Sequence, residues 1–536
     1  MSSSTTSAPA PRTGGSPLAR VDAALGRVPM YRVVSLALGA LVLVSFFLAI
    51  TRSLLPSVFR LEAMALTLVV LVGVSVAANA LLGLAFRVRA HTESAVITGL
   101  LLWFLYWPTT DTAQLAWLAA TAVLANASKY LLAVRGRHVL NPAAAGVVLV
   151  LVVQELASVD PAHRVYTTWW IANEPALVPL VLAALVVLWR TRRLDLGLLF
   201  VTLAGVLVVL GLLNSTDLGA GTALEQYVVS SPAIFLAGFM LSEPLTLPPR
   251  RVQRLGVAAL AAFVFAWPQF QTILLPEPVD LWVFESTAEL ALLASGAVAF
   301  VLGQRGGVRL RHTGTRRVGA EVFELRFAPR RPVRFRPGQY VELALPHRGS
   351  DRRGVRRVFS IVSPSDDPEL AVALRVPEPS SSYKKALLAL EPGAVLGATG
   401  VGGDFVLPRR PGPVVLVAGG IGITPFLSWL RSPEAEGLDA VLVLGVGDAD
   451  DVAYRDELVA TGVPVVLVAP GAPADLPPGW RHVPSAFLTA DVVVEAVPDL
   501  GGRTAYVSGP PAMVTAVARG LRRRARKVRT DSFAGY

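Results

Sequence analysis

Val414-Val415-Leu416-Val417-Ala418 runs straight into Gly419-Gly420-Ile421-Gly422-Ile423-Thr424-Pro425. Five aliphatic residues without polar alternation suit a strand buried on both faces, as in a parallel sheet. The glycines that follow predict a tight turn into a helix. Such a turn lets backbone approach a pyrophosphate at the helix N-terminus. One Gly-x-Gly turn is weak evidence alone, so its surroundings carry the argument.

Downstream, residues 411–536 alternate apolar runs with helical stretches, as βαβ units do. Upstream, residues 305–410 alternate polar and apolar between frequent Gly and Pro turns, which predicts an antiparallel β-barrel. Above Gly303-Gln304-Arg305-Gly306-Gly307 the character changes. The 536-residue chain is 53% hydrophobic and 16% charged, and the apolar excess lies in residues 30–304. That stretch predicts a polytopic α-helical membrane domain. Residues 1–29 are rich in Ser, Thr, Pro, Ala and Gly, which predicts disorder; no apolar stretch begins before Val33, so a cleavable signal peptide is not expected.

A membrane helix needs roughly 20 apolar residues. About ten candidate spans follow: 33–51, 63–85, 94–107, 114–134, 141–157, 171–189, 195–213, 228–247, 255–272 and 286–303. One set of loops carries Arg87/Arg89, Arg135/Arg137, Arg190/Arg192/Arg193 and Arg250/Arg251/Arg254, whereas the alternate loops carry only Arg52, Arg60 and Arg164. Positive charge marks the cytoplasmic side. Both termini then fall in the cytoplasm of a multi-pass plasma-membrane protein. The net charge of +11 fits contact with anionic lipid headgroups, and no aromatic-interleaved basic stripe points to nucleic acid. The chain has no cysteine, which excludes disulfides, thiolate zinc and thiolate iron–sulfur clusters. No metal is expected, and flavin is the redox group that needs no metal ligands.

Five motifs occur in order: Arg336-Pro337-Gly338-Gln339-Tyr340, Arg357-Val358-Phe359-Ser360, Gly402-Gly403-Asp404-Phe405, Gly420-Ile421-Gly422-Ile423-Thr424-Pro425 and Ser508-Gly509-Pro510-Pro511. On these, residues 305–536 resemble the ferredoxin–NADP reductase superfamily. The resemblance implies an FAD-binding barrel (305–410) and an NAD(P)-binding domain (411–536). It also implies hydride transfer from nicotinamide to flavin N5 where the two meet. By the same resemblance, Arg357 pairs with the FAD pyrophosphate, Phe359 packs on the isoalloxazine beside Val358, and Ser360 hydrogen-bonds near N5. Phe359 stands where the family usually has Tyr, which removes one hydroxyl contact. Arg375 and Ser382 match a second phosphate-contacting stretch, with Tyr383-Lys384-Lys385 as the alternative. Gly403 belongs to the flavin side. Gly419, Gly420, Gly422, Thr424, Pro425, Gly509 and Pro510 belong to the nucleotide side. Ser508 replaces the frequent Cys near the nicotinamide. Tyr536, or Phe533, is the candidate for a C-terminal aromatic over the flavin; a frayed tail is the other reading. Gly445-Val446-Gly447-Asp448-Ala449-Asp450-Asp451 follows the second strand, and three Asp would repel a 2′-phosphate, which favours NADH over NADPH.

Polar residues inside apolar segments are the informative ones. Ser128-Lys129-Tyr130, His138-Val139-Leu140-Asn141-Pro142-Ala143 and Phe239-Met240-Leu241-Ser242-Glu243-Pro244-Leu245-Thr246 all map to the cytoplasmic side. With Ser94–Leu100, they resemble the flavin-carrying membrane subunits of Rnf and sodium-translocating NADH:quinone reductase complexes. That resemblance makes Lys129 and Asn141 candidates for holding FMN or another flavin. The Ser-Gly-Ala-Thr attachment motif of those subunits is missing between Asn141 and Phe239; Tyr166-Thr167-Thr168-Trp169-Trp170 lies there instead. The plainer reading has Lys129 snorkelling and Asn141 capping a helix. Only His91, His138 and His163 occur in the membrane half, and no segment carries a pair, so bis-His haem is not expected. The expected function is a membrane-bound oxidoreductase that takes hydride from NADH onto FAD and passes electrons to a quinone, a flavin or a far-side flavoprotein. Electron-driven cation transport and a merely anchored reductase are the alternatives.

Overall fold

The computed structural model describes residues 28, 30–87, 90–134, 137–248, 250–275, 287–303, 307–347, 355–398, 401–408 and 412–532. Phe533, Tyr536, the N-terminal segment and both expected domain boundaries, 304/305 and 410/411, lie outside them.

The N-terminal region is helical: α1 (Met30–Ile50), α2 (Leu61–Ala85), α3 (Thr92–Leu105), α4 (Thr112–Leu131), α5 (Pro142–Leu156), α6 (Leu177–Thr191), α7 (Leu194–Ser215), α8 (Ala220–Ser230), α9 (Ala233–Leu241), α10 (Arg251–Leu274) and α11 (Thr287–Gly303). Among the described residues, five helices (α1, α2, α6 counted from Glu174, α7 and α10) are long and apolar enough to cross a membrane, or six if the bent pair α8 and α9 is one span. The sequence predicts about ten spans, and the difference has a physical reason. At 1.5 Å per residue, the 14 residues of α3 rise about 21 Å and the 15 of α5 about 22 Å, short of a hydrocarbon core of roughly 30 Å. The expected span 228–247 is broken at Ser231-Pro232 by a 51° bend, and Leu236–Leu241 is π-helical. Proline has no N–H to continue the helix, which accounts for the break. Leu43, Phe47, Val69 and Leu84 are largely exposed on outer faces, as lipid contact requires.

Two β-domains follow. In the first, β1 (Val308–Arg317), β2 (Val322–Pro329), β3 (Tyr340–Ala344), β4 (Arg356–Ser360), β5 (Leu370–Arg375) and β6 (Val395–Ala398) form an antiparallel sheet in the order β4-β3-β6-β1-β2-β5. A bridge between Ile361 and Val372 joins its ends. Helix α12 (Ser382–Leu388) packs against it.

In the second, β7 (Val414–Gly419), β8 (Ala440–Gly445), β9 (Val465–Ala469), β10 (Trp480–Pro484), β11 (Thr504–Gly509) and β12 (Lys527–Ser532) form a parallel sheet in the order β10-β9-β8-β7-β11-β12. Every residue of β7 and β9 is buried, as the unbroken apolar runs predict. The last helix (Pro511–Leu521) turns Val514, Val517, Ala518 and Leu521 inward, one apolar stripe at helical spacing. The strand order reverses between β7 and β11. Open α/β sheets bind ligands at the carboxyl ends of strands flanking such a reversal.

Candidate functional site

The arginine and the aromatic residue of the flavin motif stand two apart on β4, so they share a face. Beneath them lies Tyr383 of α12. The Arg357 guanidinium sits 4.9 Å from the Tyr383 ring centre, and Phe359 stacks on the same ring at 6.3 Å and 23°. Tyr383 is fully buried and donates its hydroxyl to the Leu343 carbonyl at 3.0 Å. Burial pushes its ionisation up from the usual tyrosine value, so it serves as a neutral platform. Ser360 is buried on the opposite face, which it shares with the half-buried Val358. The sequence offered Tyr383 only with its basic neighbours, and its role as platform depends on α12 folding under β4.

The expected phosphate contacts at Arg375 and Ser382 take other partners. Arg375 is mostly exposed and pairs with Glu321 at 2.9 Å, because β2–β5 register sets Arg375 against Val322. The Ser382 hydroxyl lies 3.1 Å from His347 Nε2.

Two motifs distant in sequence lock together beside β3. Tyr340 and Gly402 exchange backbone hydrogen bonds of 2.8 and 3.0 Å, and the Gln339 amide donates to the Gly403 carbonyl at 3.1 Å. Gly403 has φ +104, and a Cβ there would meet the Tyr340 ring at 2.9 Å. Phe405 then stacks on Trp429 at 5.4 Å, which carries the barrel into the core of the parallel domain.

On the nucleotide side, the turns after β7 and β11 abut. A Cβ on Gly422 would stand 2.4 Å from the Ser508 carbonyl oxygen and 2.7 Å from Gly509 Cα. Gly420 has φ +52 and faces open space, the room a phosphate needs above a glycine turn. The Thr424 hydroxyl donates to the Ile421 carbonyl at 3.0 Å, and Pro425 opens helix α13 (Thr424–Leu430). Ser508 is fully buried, and its hydroxyl has no hydrogen-bond partner among the described residues. A buried, orphaned hydroxyl between two cradling turns suits a donor or acceptor that a bound nucleotide would engage. Cross-strand from Ser508 lies Asp531, half-buried, whose carboxyl is pushed up to about 6 by desolvation. The sequence reading passed over Asp531 because only the β11–β12 pairing brings it here.

The three aspartates after β8 have separate partners. Asp451 accepts from Ala320 N at 2.6 Å and so ties the nucleotide domain to the barrel, while Asp450 accepts from Ala474 N at 2.8 Å. Arg316–Glu457 at 2.6 Å and Ser428 donating to the Ser363 carbonyl at 2.8 Å add to the domain contact.

In the helical region, the motifs singled out from sequence converge. Lys129 Nζ donates to the Ser94 carbonyl and to Asn126 Oδ1, each at 3.0 Å. Asn141 caps α5 by accepting from Ala144 N at 3.2 Å, and its amide reaches Glu243 Oε2 at 3.4 Å. Glu243 Oε1 lies 3.1 Å from His138 Nδ1. Lys129, Asn141, Phe239 and Glu243 line one cavity of about 60 Å³, with Tyr31 across it. Tyr31, which the sequence reading passed over, also lies within electrostatic reach of Glu342 and Arg356 on β3 and β4. The Asp404 carboxylate accepts from Arg251 N at 2.9 Å, so the barrel meets the helices at this end.

Residues 416–519 match the family model described as an oxidoreductase NAD-binding domain. The chain is 34% identical over 217 residues to the reductase subunit of an aromatic O-demethylase from Amycolatopsis, covering 38% of this chain and 62% of that protein. It is 35% identical over 164 residues to ferredoxin–NADP reductase B of Sorangium cellulosum, covering 27% of this chain and 66% of that protein. It thus spans just under two thirds of these relatives. A crystal structure of an Amycolatopsis cytochrome P450 reductase is 26% identical, with a TM-score of 0.36, covering 42% of this chain and 69% of that one. Residues 416–519 thus form an oxidoreductase NAD-binding domain, and the C-terminal part of the chain is similar to ferredoxin-reductase-type NAD(P)H oxidoreductases; it follows an N-terminal region with, among the described residues, five or six helices long and apolar enough to cross a membrane.

Proposed function

We propose that the whole chain is a multi-pass membrane oxidoreductase that draws electrons from NADH and delivers them through its helical region. The observation that carries this reading is the polar cavity of Lys129, Asn141 and Glu243 at the end of the helices that meets the flavin barrel. A module that needed only an anchor would not require charged side chains gathered there, since buried charge in an apolar bundle is costly.

FAD fits the barrel face. Arg357 would hold its pyrophosphate, where a planar guanidinium suits the geometry, and Phe359 would bear on its ring system. Ser360 would supply a hydrogen bond near the reacting edge. When bound, FAD supplies two-electron acceptance and one-electron release. Gly420, Gly422 and Gly509 would let the dinucleotide backbone approach closely, and Ser508 would orient the nicotinamide. The Phe405–Trp429–Tyr506 cluster packs the barrel motif into the core of the nucleotide domain. The acidic stretch after β8 disfavours a 2′-phosphate, so NADH is the donor in this reading. Lys129 and Asn141 would meet only a polar edge of a second flavin or of a quinone, because a cavity of about 60 Å³ is too small to enclose either ring system. The chain is placed in the plasma membrane with both termini cytoplasmic, on the arginine bias of its loops.

The test is the flavin content of the detergent-purified full-length protein. FAD together with a second flavin per chain supports a helical region that carries electrons on its own cofactor. FAD alone, with Lys129→Met leaving every acceptor reaction unchanged, overturns the assignment of the cavity. If residues 305–536 alone matched the full chain in NADH-driven reduction of membrane vesicles, the anchor reading would replace this one.

A further inference from the structure

A second, larger cavity of about 620 Å³ lies at the other end of the helices. Helix α5 shows the separation: Pro142 and Ala143 line the small cavity near the barrel, and Leu151, Gln154 and Glu155 line the large one. The distance from Pro142 to Glu155 is thirteen residues, about 20 Å along the axis. Helix α10 agrees, since Arg251 meets the barrel while Phe265 and Gln269 line the large cavity.

The two cavities are joined by touching rings. Phe239 lines the small one and packs on Phe235 at 5.1 Å between centres, and Phe235 packs on Trp169 at 6.2 Å. Trp169 lines the large cavity. Behind these walls lies Glu289, fully buried, next to Thr167 and Trp169.

The lining specifies a kind of ligand. Trp169, Tyr166, Tyr227 and Phe265 give the lining its aromatic character, while Gln226 and Gln269 contribute amides. The volume is in the range that encloses small organic ligands. Among the described residues, Arg164 is the cation of the lining, and it is held by Glu155 at 2.6 Å and by the Val159 carbonyl at 2.7 Å. A phosphate would have to break that pair. Resting on the proposal that electrons cross the helical region, we infer that this cavity binds a neutral quinone ring and is where the electrons leave the protein.

The overall step balances as NADH + H⁺ + quinone → NAD⁺ + quinol. The nicotinamide loses a hydride. The quinone gains two electrons and two protons, one proton matching that hydride and one taken from solvent, and its two carbonyls become hydroxyls. The Gln226 and Gln269 amides suit this change, because an amide can donate to a carbonyl and accept from a hydroxyl.

The test uses full-length protein in detergent with menadione as the quinone and ferricyanide as an acceptor served from the reductase module. Gln269→Leu removes an amide edge, and Ser230→Trp fills the mouth. Loss of one hydrogen bond should raise the menadione KM about tenfold. The midpoint for quenching of tryptophan fluorescence by menadione should rise by the same factor, with ferricyanide reduction unchanged. If both variants keep the parental KM and quenching midpoint, or if menadione neither binds nor is reduced while ferricyanide is, the quinone assignment fails and the reductase reading stands. If a variant with full FAD content loses ferricyanide reduction as well, the reading of the reductase itself is at fault.

Discussion

Gly422→Ala puts the contact between the two nucleotide-side turns to a direct test. A Cβ at 422 would stand 2.4 Å from the Ser508 carbonyl oxygen, against about 3.4 Å for ordinary contact, so the turns must part by about 1 Å (3.4 − 2.4). Both neighbouring atoms are backbone at the buried end of β11, with no flexible side chain to absorb the change. Overpacking of this kind typically costs about 1–3 kcal/mol. If half of that falls on the nucleotide-bound state, at 1.4 kcal/mol per decade, the NADH KM rises between about 2- and 10-fold. Gly420→Ala is the control. Its Cβ meets nothing within 4 Å but must hold φ +52, so it carries only the left-handed strain of about 1–2 kcal/mol. The assay is NADH titration with ferricyanide, alongside thermal unfolding. Gly422→Ala should raise KM more than Gly420→Ala. Equal KM values in the parent and Gly422→Ala, at equal FAD content, would refute the argument that the two turns jointly form the nucleotide seat.

Other predictions are brief. Arg357→Ala should lower FAD retention on gel filtration by about tenfold or more, since a charge-assisted hydrogen bond contributes about 1.5–3 kcal/mol, and Arg357→Lys should recover only part of it. Asp531 titrates near pH 6, above the unfolded value near 3.9. The folded state therefore binds the extra proton between those values, and this group's contribution to stability falls as pH rises from about 4 through 6, then stays low. Asp531→Asn should remove that slope from the unfolding profile; an identical slope in the variant would count against a desolvated carboxyl beside Ser508. Asp448→Arg should narrow the preference for NADH over NADPH, whereas Asp451→Ala should mainly loosen the junction between the β-domains and lower the melting temperature, because Asp451 bonds Ala320 N. Kinetics with both nucleotides and calorimetry separate the two effects.

Much of the C-terminal part was legible because its signals are local. An unbroken aliphatic run must be buried on both faces, and β7 is buried throughout. Glycines mark places where side chains would collide, as Gly422 does against Ser508. The apolar character of residues 30–303 was equally plain. The number of spans was not, since a window of apolar composition cannot register that α3 and α5 stop after 14 and 15 residues, or that Pro232 bends a segment by 51°.

What only the tertiary structure decided is which distant residues meet. Arg375 stands as a phosphate candidate by its place in the chain, and only strand register shows that it also has Glu321 beside it. Tyr383 was offered only with its basic neighbours, and Asp531 gave no sequence signal, because each acquires its place from an element folded against it: β4 and β11 respectively. Lys129, Asn141 and Glu243 were each conspicuous as polar residues in apolar surroundings, yet their convergence on one cavity depends on how α4, α5 and α9 pack. Local physics sets the type of each element from its own residues, whereas a site is set by contacts between elements, and no short stretch of chain holds that information.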